Sequence, residues 1–199
     1  GADVMLSSRK VDALEAARDE ILATAGDQAG QVAVCAANAG DPEAAAACVA
    51  ATVAQFGGVD MLVNNAATNP SFANLVDADP AAVRKILEVN LEGPLALVRA
   101  AWHATMQDAG GSVINMASVG GVHPMAMIGA YNTSKAALIH LTKQLALECA
   151  PQVRVNAIAP GIVKTQFARA LWEPDEDAAA NLAPLQRLGV PVDVAHAAL

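Results

Sequence analysis

Tyr131 and Lys135 stand four residues apart in Tyr131-Asn132-Thr133-Ser134-Lys135, at the head of the apolar, helix-periodic run Ala136-Ala137-Leu138-Ile139-His140-Leu141. An i, i+4 spacing sets phenol and ammonium on one helical face. A tyrosine free in water has a pKa of about 10, so proton transfer near neutrality requires its phenolate to be stabilised by roughly 3 units, or about 4 kcal/mol. One ammonium at about 5 Å, at an effective dielectric near 20, contributes roughly 3 kcal/mol. Ser118 lies thirteen residues before the tyrosine, at the end of Gly111-Ser112-Val113-Ile114-Asn115-Met116-Ala117-Ser118, whose apolar centre reads as a buried strand. A hydroxyl at the carboxyl end of such a strand lies where open α/β sheets bind ligands.

Strands and helices alternate around these residues, the signature of parallel βαβ units. Val4 to Ser7 is one expected strand and Gln31 to Ala36 the next, with a helix from about Lys10 to Ala25 between them. Asp41-Pro42 and Asp79-Pro80 each offer an N-cap aspartate followed by proline at the first helical position. Asp60-Met61-Leu62-Val63-Asn64-Asn65-Ala66-Ala67 is a short strand closing in two amides, and Val153-Arg154-Val155-Asn156-Ala157-Ile158-Ala159-Pro160-Gly161 is another ending in a turn. Long helices over about 80 to 108 and 129 to 149 flank the serine strand. With no internal repeat and no linker rich in Pro, Gly or Ser, residues 1–199 read as one domain.

In this order and spacing the chain resembles a short-chain dehydrogenase/reductase of the short form. The resemblance rests on Asn64-Asn65-Ala66-Ala67, on Asn90 in Asn90-Leu91-Glu92-Gly93, on Ser118, on Tyr131 with Lys135, and on Pro160-Gly161, and it spans nearly the whole chain. It implies a Rossmann-like, doubly wound parallel sheet in a three-layer αβα arrangement. Ala67 replaces the family's usual glycine, and no G-x-x-x-G-x-G loop occurs; Gly57-Gly58, Gly110-Gly111 and Gly120-Gly121 are isolated pairs. The chain opens on Gly1-Ala2-Asp3-Val4, like the lead-in to the family's second strand, and closes on Ala195-His196-Ala197-Ala198-Leu199. The family's first strand, glycine loop and last strand are therefore expected to be missing from this sequence, so that Val4 to Ser7 does not pair with Met61 to Asn64. A vacancy of about 10 Å, two strand spacings, is expected between them.

The same resemblance implies the chemistry: hydride exchange between a nicotinamide and a carbonyl or alcohol carbon. Tyr131 is expected to serve as acid or base, with Ser118 polarising the substrate oxygen. Lys135 would lower the phenol pKa with help from an oxidised nicotinamide, and Asn90 would hold a water that links Lys135 to solvent. Cofactor contacts are expected from Ser8, Arg9, Asn38, Ala39, Asn65, Ala66, Tyr131, Lys135, Pro160, Gly161, Val163 and Thr165. Leu6-Ser7-Ser8-Arg9-Lys10 has no acid to bond an adenosine ribose, while an arginine fork suits a 2′-phosphate, so NADP(H) is expected in preference to NAD(H). Val119, Met125, Phe167 and Trp172 are expected to wall an apolar substrate pocket, with 168 to 174 as a lid. Within the family the chain is most like NADPH-dependent carbonyl or retinol reductases and 3-oxoacyl carrier-protein reductases. Two other classes share the motifs: a lyase or epimerase reusing the Tyr-Lys pair, and a non-catalytic nucleotide-binding or scaffold member.

Composition narrows the partners. A formal charge of −8 and a pI near 4.8 argue against nucleic acid and anionic lipid. The 54% hydrophobic content is largely alanine, and the long uncharged stretch 109 to 134 is broken by Gly110, Gly111, Gly120, Gly121 and Pro124, so no membrane span is expected. Cys35, Cys48 and Cys149 lack metal-ligand spacing, as do His103, His123, His140 and His196, and no metal is expected. A cytoplasmic enzyme acting on a small carbonyl or alcohol is anticipated, and the resemblance adds a homodimer or homotetramer.

Overall fold

Asp41 and Asp79 turn the chain into helices by the chemistry their sequence context promises. The Asp41 carboxylate accepts from the backbone N–H groups of Glu43 and Ala44, that of Asp79 from Ala81, and a proline follows each at the first helical position. The computed structural model describes residues 1–199, the side chain of Asp27 excepted. In chain order the elements are β1 (Val4–Ser8), α1 (Val11–Ala25), β2 (Val32–Ala36), α2 (Pro42–Phe56), β3 (Met61–Asn64) and α3 (Pro80–Leu87). A π-helical turn, Glu88–Glu92, leads without a break into α4 (Gly93–Ala101), and a second, Trp102–Met106, into α5 (Gln107–Ala109). There follow β4 (Gly111–Met116), α6 (Gly129–Glu148), β5 (Val153–Ile158), α7 (Arg169–Trp172), α8 (Glu176–Asn181) and α9 (Pro191–Ala198).

All strand pairing is parallel, as alternation of strand and helix requires. β1 runs beside β2 from Val4 opposite Val32 to Ser8 opposite Ala36. β3, β4 and β5 form a second sheet in that order, with Met61 opposite Ser112 and Gly111 opposite Val153. Among the described residues β1 does not pair with β3, which agrees with the interrupted strand order. The fold is α/β, parallel sheets flanked by helices.

Val98, Ala101 and Met106 from the long helical run meet Val113, Val153 and Val155 from β4 and β5 in the core, and Val49 of α2 and Leu145 of α6 join them. Burying such side chains is the main driving force of folding, about 1.5–3 kcal/mol for each large one. Gly93 is the point of closest approach between α4 and the loop after β2, since a Cβ there would fall 2.0 Å from the Ala39 carbonyl oxygen. Only glycine fits.

Candidate active site

The serine turn is brought to the tyrosine helix by a pair of glycines. β4 ends at Met116, two residues before Ser118, so the hydroxyl belongs to the turn beyond the strand rather than to the strand itself. Its Oγ accepts from the Gly120 N–H at 3.1 Å and opens the short 3-10 turn Val119–Gly121. A Cβ on Gly120 would lie 2.3 Å from the Asn132 Oδ1, and one on Gly121 would lie 2.7 Å from the Lys135 carbonyl carbon. Without side chains there, the turn lies directly on the first turns of α6. Val119 N–H bonds the Pro160 carbonyl at 2.9 Å, which ties the same turn to the segment leaving β5.

On α6, Tyr131 is half-buried and Lys135 is 1% exposed. The lysine Nζ donates to the Met116 carbonyl at 2.7 Å and stands 5.6 Å from the centre of the tyrosine ring. Loss of hydration on burial pushes the ammonium down from 10.5 to about 8. Burial also raises the Tyr131 phenol above its ordinary value, and a hydrogen bond with Ser118 offsets part of that rise. The cause is common to both groups, since low polarity penalises phenolate and ammonium alike. Phe167 packs against the phenol with ring centres 6.1 Å apart.

Asn90 is fully buried in the π-helical turn. Its Oδ1 accepts from Thr68 N–H at 2.8 Å, and its Nδ2 donates to the Thr68 carbonyl and to the Ser134 Oγ, each at 3.0 Å. Ser134 donates in turn to the Tyr131 carbonyl at 2.7 Å. The amide thus clasps the loop after β3 and reaches the tyrosine through one serine. Thr68 and Ser134 were not expected from sequence in these roles, although Ser134, three residues after Tyr131, was available as a helical neighbour.

The remaining candidates follow the carboxyl ends of parallel strands. Ser8 ends β1 and Arg9 follows it, both exposed; Asn38 and Ala39 follow β2; Asn65 and Ala66 follow β3; Pro160 and Gly161 follow β5. Asn38 closes a tight turn by accepting from the Gly40 N–H at 3.2 Å. Val163 bridges to Gly189, and the Thr165 hydroxyl accepts from Ala168 N–H at 3.3 Å. Of the expected substrate wall, Val119 and Met125 are half-buried and Phe167 is 56% exposed. Trp172 is tied down by its Nε1, which donates to the Thr165 carbonyl at 3.3 Å, with the Lys164 ammonium 5.3 Å from its ring centre. The donor set fits a nucleotide: among the described residues Lys135 uses one of its three N–H donors within the protein, leaving two for sugar hydroxyls.

A family model described as enoyl-(acyl carrier protein) reductase matches residues 1–199. Dehydrogenase/reductase SDR family member 4 of Sus scrofa is 39% identical over 198 residues, covering 98% of this chain and 70% of that protein. The chain is a short-chain dehydrogenase/reductase. Tropinone reductase-like 3 of Erythroxylum coca is 36% identical to this short-chain dehydrogenase/reductase over 200 residues, covering 99% of it and 75% of the relative. A short-chain type dehydrogenase/reductase from Mycobacterium ulcerans superposes with a TM-score of 0.93 at 29% identity, over 100% of this chain and 73% of that one. NAD+-bound xylitol dehydrogenase superposes with a TM-score of 0.87 at 26% identity, over 96% and 78%. Membership makes this short-chain dehydrogenase/reductase an oxidoreductase that uses a nicotinamide nucleotide and a small-molecule substrate. Among the described residues no helix is long and apolar enough to cross a membrane.

Proposed function

We propose that the protein interconverts a ketone or aldehyde with the corresponding alcohol, using NADP(H) in preference to NAD(H), as a cytoplasmic homodimer or homotetramer. The observation that carries this reading is a fully buried lysine one helical turn from a tyrosine whose phenol is within reach of a serine hydroxyl.

Ser118 Oγ and the Tyr131 hydroxyl hold the substrate oxygen. Tyr131 donates its proton to that oxygen in reduction and removes it in oxidation. The raised phenol pKa keeps the tyrosine protonated at neutral pH, the form that reduction requires. With a pKa of about 8, Lys135 is mostly charged near pH 7, so it stabilises the phenolate left after transfer. Asn90, fixed by Thr68 and Ser134, holds a water at its main chain through which Lys135 exchanges protons with solvent. When bound, the nucleotide supplies or accepts the hydride. Ser8 and Arg9 hold its 2′-phosphate, Asn38 and Ala39 border the adenine, and Asn65 and Ala66 form the floor. Lys135 bonds the ribose, while Pro160, Gly161, Val163 and Thr165 border the nicotinamide. Val119, Met125, Phe167 and Trp172 receive an apolar substrate body.

The similarity to tropinone reductase-like 3 supports a reductase acting on a ketone. The test is oxidation of NADPH and NADH followed at 340 nm with a panel of ketones and aldehydes. Failure to reduce any of them with either nucleotide, and to oxidise the matching alcohols, sinks the reading.

A further inference from the structure

The first turn of α6 carries a buried polar side chain that the reaction above leaves without a role. Asn132, one residue past Tyr131, is 6% exposed. Its Nδ2 donates to the Met125 carbonyl at 2.9 Å, and among the described residues its buried Oδ1 accepts no hydrogen bond. That oxygen faces Gly120, where a Cβ would come within 2.3 Å, while the Gly120 N–H is committed to the Ser118 hydroxyl at 3.1 Å. The amide is therefore wedged between the serine turn and the loop of residues 122 to 127.

That loop is held from its other side as well. Ala73 N–H donates to the Met127 carbonyl at 2.8 Å, and Ala73 bridges to Ile128. Met127 has a φ of 68°, a left-handed conformation that a side chain with a Cβ rarely adopts. Such a conformation persists where its surroundings over-determine it. Asn132 and Ala73 anchor the backbone on either side of it, at the Met125 and Met127 carbonyls, in the segment that joins the serine turn to the tyrosine helix. A buried amide oxygen with no donor is a structural penalty that packing alone does not call for.

We propose that Asn132 is a positioning residue for substrate choice: through the Met125 carbonyl it fixes the wall 122 to 127 and so sets which bulky carbonyl compounds the site admits. This rests on the carbonyl reductase reading above. Its action is on the wall, not on the reacting oxygen, so it separates binding of large substrates from the chemical step.

The test compares wild type with Asn132→Asp, which keeps the outline but loses the donor, and with Asn132→Ala. Three quantities are measured: amide hydrogen exchange over 122 to 128, NADPH binding, and kcat and KM for a small dione and a bulky aryl ketone. Expected are faster exchange over 122 to 128 with the later turns of α6 unchanged, and NADPH binding within about twofold of wild type. KM for the aryl ketone should rise about tenfold, the effect of losing one neutral hydrogen bond, with kcat falling less. KM for the dione should change by no more than about twofold. Equal losses on both ketones, or exchange over 122 to 128 that matches wild type, overturn the proposal. Should wild type reduce neither ketone, the carbonyl reading falls, and the exchange result still accepts or rejects the anchor. Asn132→Ala carries the comparison if the buried carboxylate of Asn132→Asp prevents folding.

Discussion

The Lys135 ammonium stands 5.6 Å from the centre of the Tyr131 ring while its hydrogen bond goes to the Met116 carbonyl at 2.7 Å. The lysine is thus oriented by the strand that leads to the serine, and the tyrosine feels it as a nearby charge rather than as a bonded partner. Replacing Tyr131 by Phe removes the proton and leaves that arrangement standing. Steady-state kinetics should show kcat/KM reduced by about 10²–10⁴-fold, the usual contribution of a general acid. Nucleotide binding, followed by fluorescence, should stay within a few fold. Substantial residual turnover would remove the tyrosine from its assigned role.

Burying an ammonium that has a single protein partner strains the fold, and the pH dependence of stability should report it. Below about pH 8 Lys135 is protonated in both the folded and the unfolded chain, so the folded state carries the whole burial penalty. Between about 8 and 10.5 the unfolded chain holds a proton that the folded one lacks, and the contribution of this residue to stability rises with pH. Tyr131 works in the opposite sense above 10, because its folded-state phenol keeps a proton that the unfolded chain has lost. Lys135→Met isolates the lysine. Near pH 7 it should raise the unfolding free energy by about 1–2 kcal/mol while lowering turnover by about 10²-fold or more. Urea denaturation of both proteins across this pH range checks it: the stability gap should narrow as pH rises.

Arg9 stands exposed just past β1, where a cofactor's adenosine end is expected. A charge-assisted bond from its guanidinium to a 2′-phosphate would contribute about 1.5–3 kcal/mol. Arg9→Ala should therefore raise KM for NADPH by about tenfold or more and leave KM for NADH within about twofold. A wild-type preference for NADH would refute the cofactor assignment.

Asn64, Asn115 and Thr142 form a buried chain of hydrogen bonds that crosses from β3 through β4 to α6. Asn64 Nδ2 donates to Asn115 Oδ1 at 2.8 Å, Asn115 Nδ2 to Thr142 Oγ1 at 2.9 Å, and Thr142 to the Leu138 carbonyl at 2.7 Å. Asn115→Ala takes the acceptor from the Asn64 amide in a low-polarity interior, while Thr142 keeps its bond to Leu138, and the loss costs about 1–3 kcal/mol. Chemical denaturation should show that loss, and an unchanged midpoint would mean that water enters to replace the amide.

The parts of the site legible in the sequence were those fixed by local spacing. Tyr131 and Lys135 share a helical face by arithmetic, and Asp41-Pro42 and Asp79-Pro80 marked their helix starts because a cap acts over two or three residues. What spacing does not encode is contact across the fold. Ser134 looks like filler between the tyrosine and the lysine until Asn90, 44 residues earlier, is seen to bond it. Gly120 and Gly121 read as an isolated pair because the atoms that exclude a Cβ from them belong to α6. The effect of burial on Tyr131 and Lys135 is not legible either, since the sequence names the neighbouring charge but not the depth at which both groups are buried.

The π-helical turn Glu88–Glu92 has a consequence for the phase of the whole helical run. Upstream of its end, Asn90 must face Thr68 and Ser134; just downstream, Gly93 must present its bare Cα to the Ala39 carbonyl. A regular α-helix advances about 100° per residue, and one added residue rotates everything after it by that amount. The wide turn works as an angular spacer, letting one rod satisfy two directional demands. Excising Leu91 would restore even winding and force a choice between them, so a smoother helix would make a poorer enzyme.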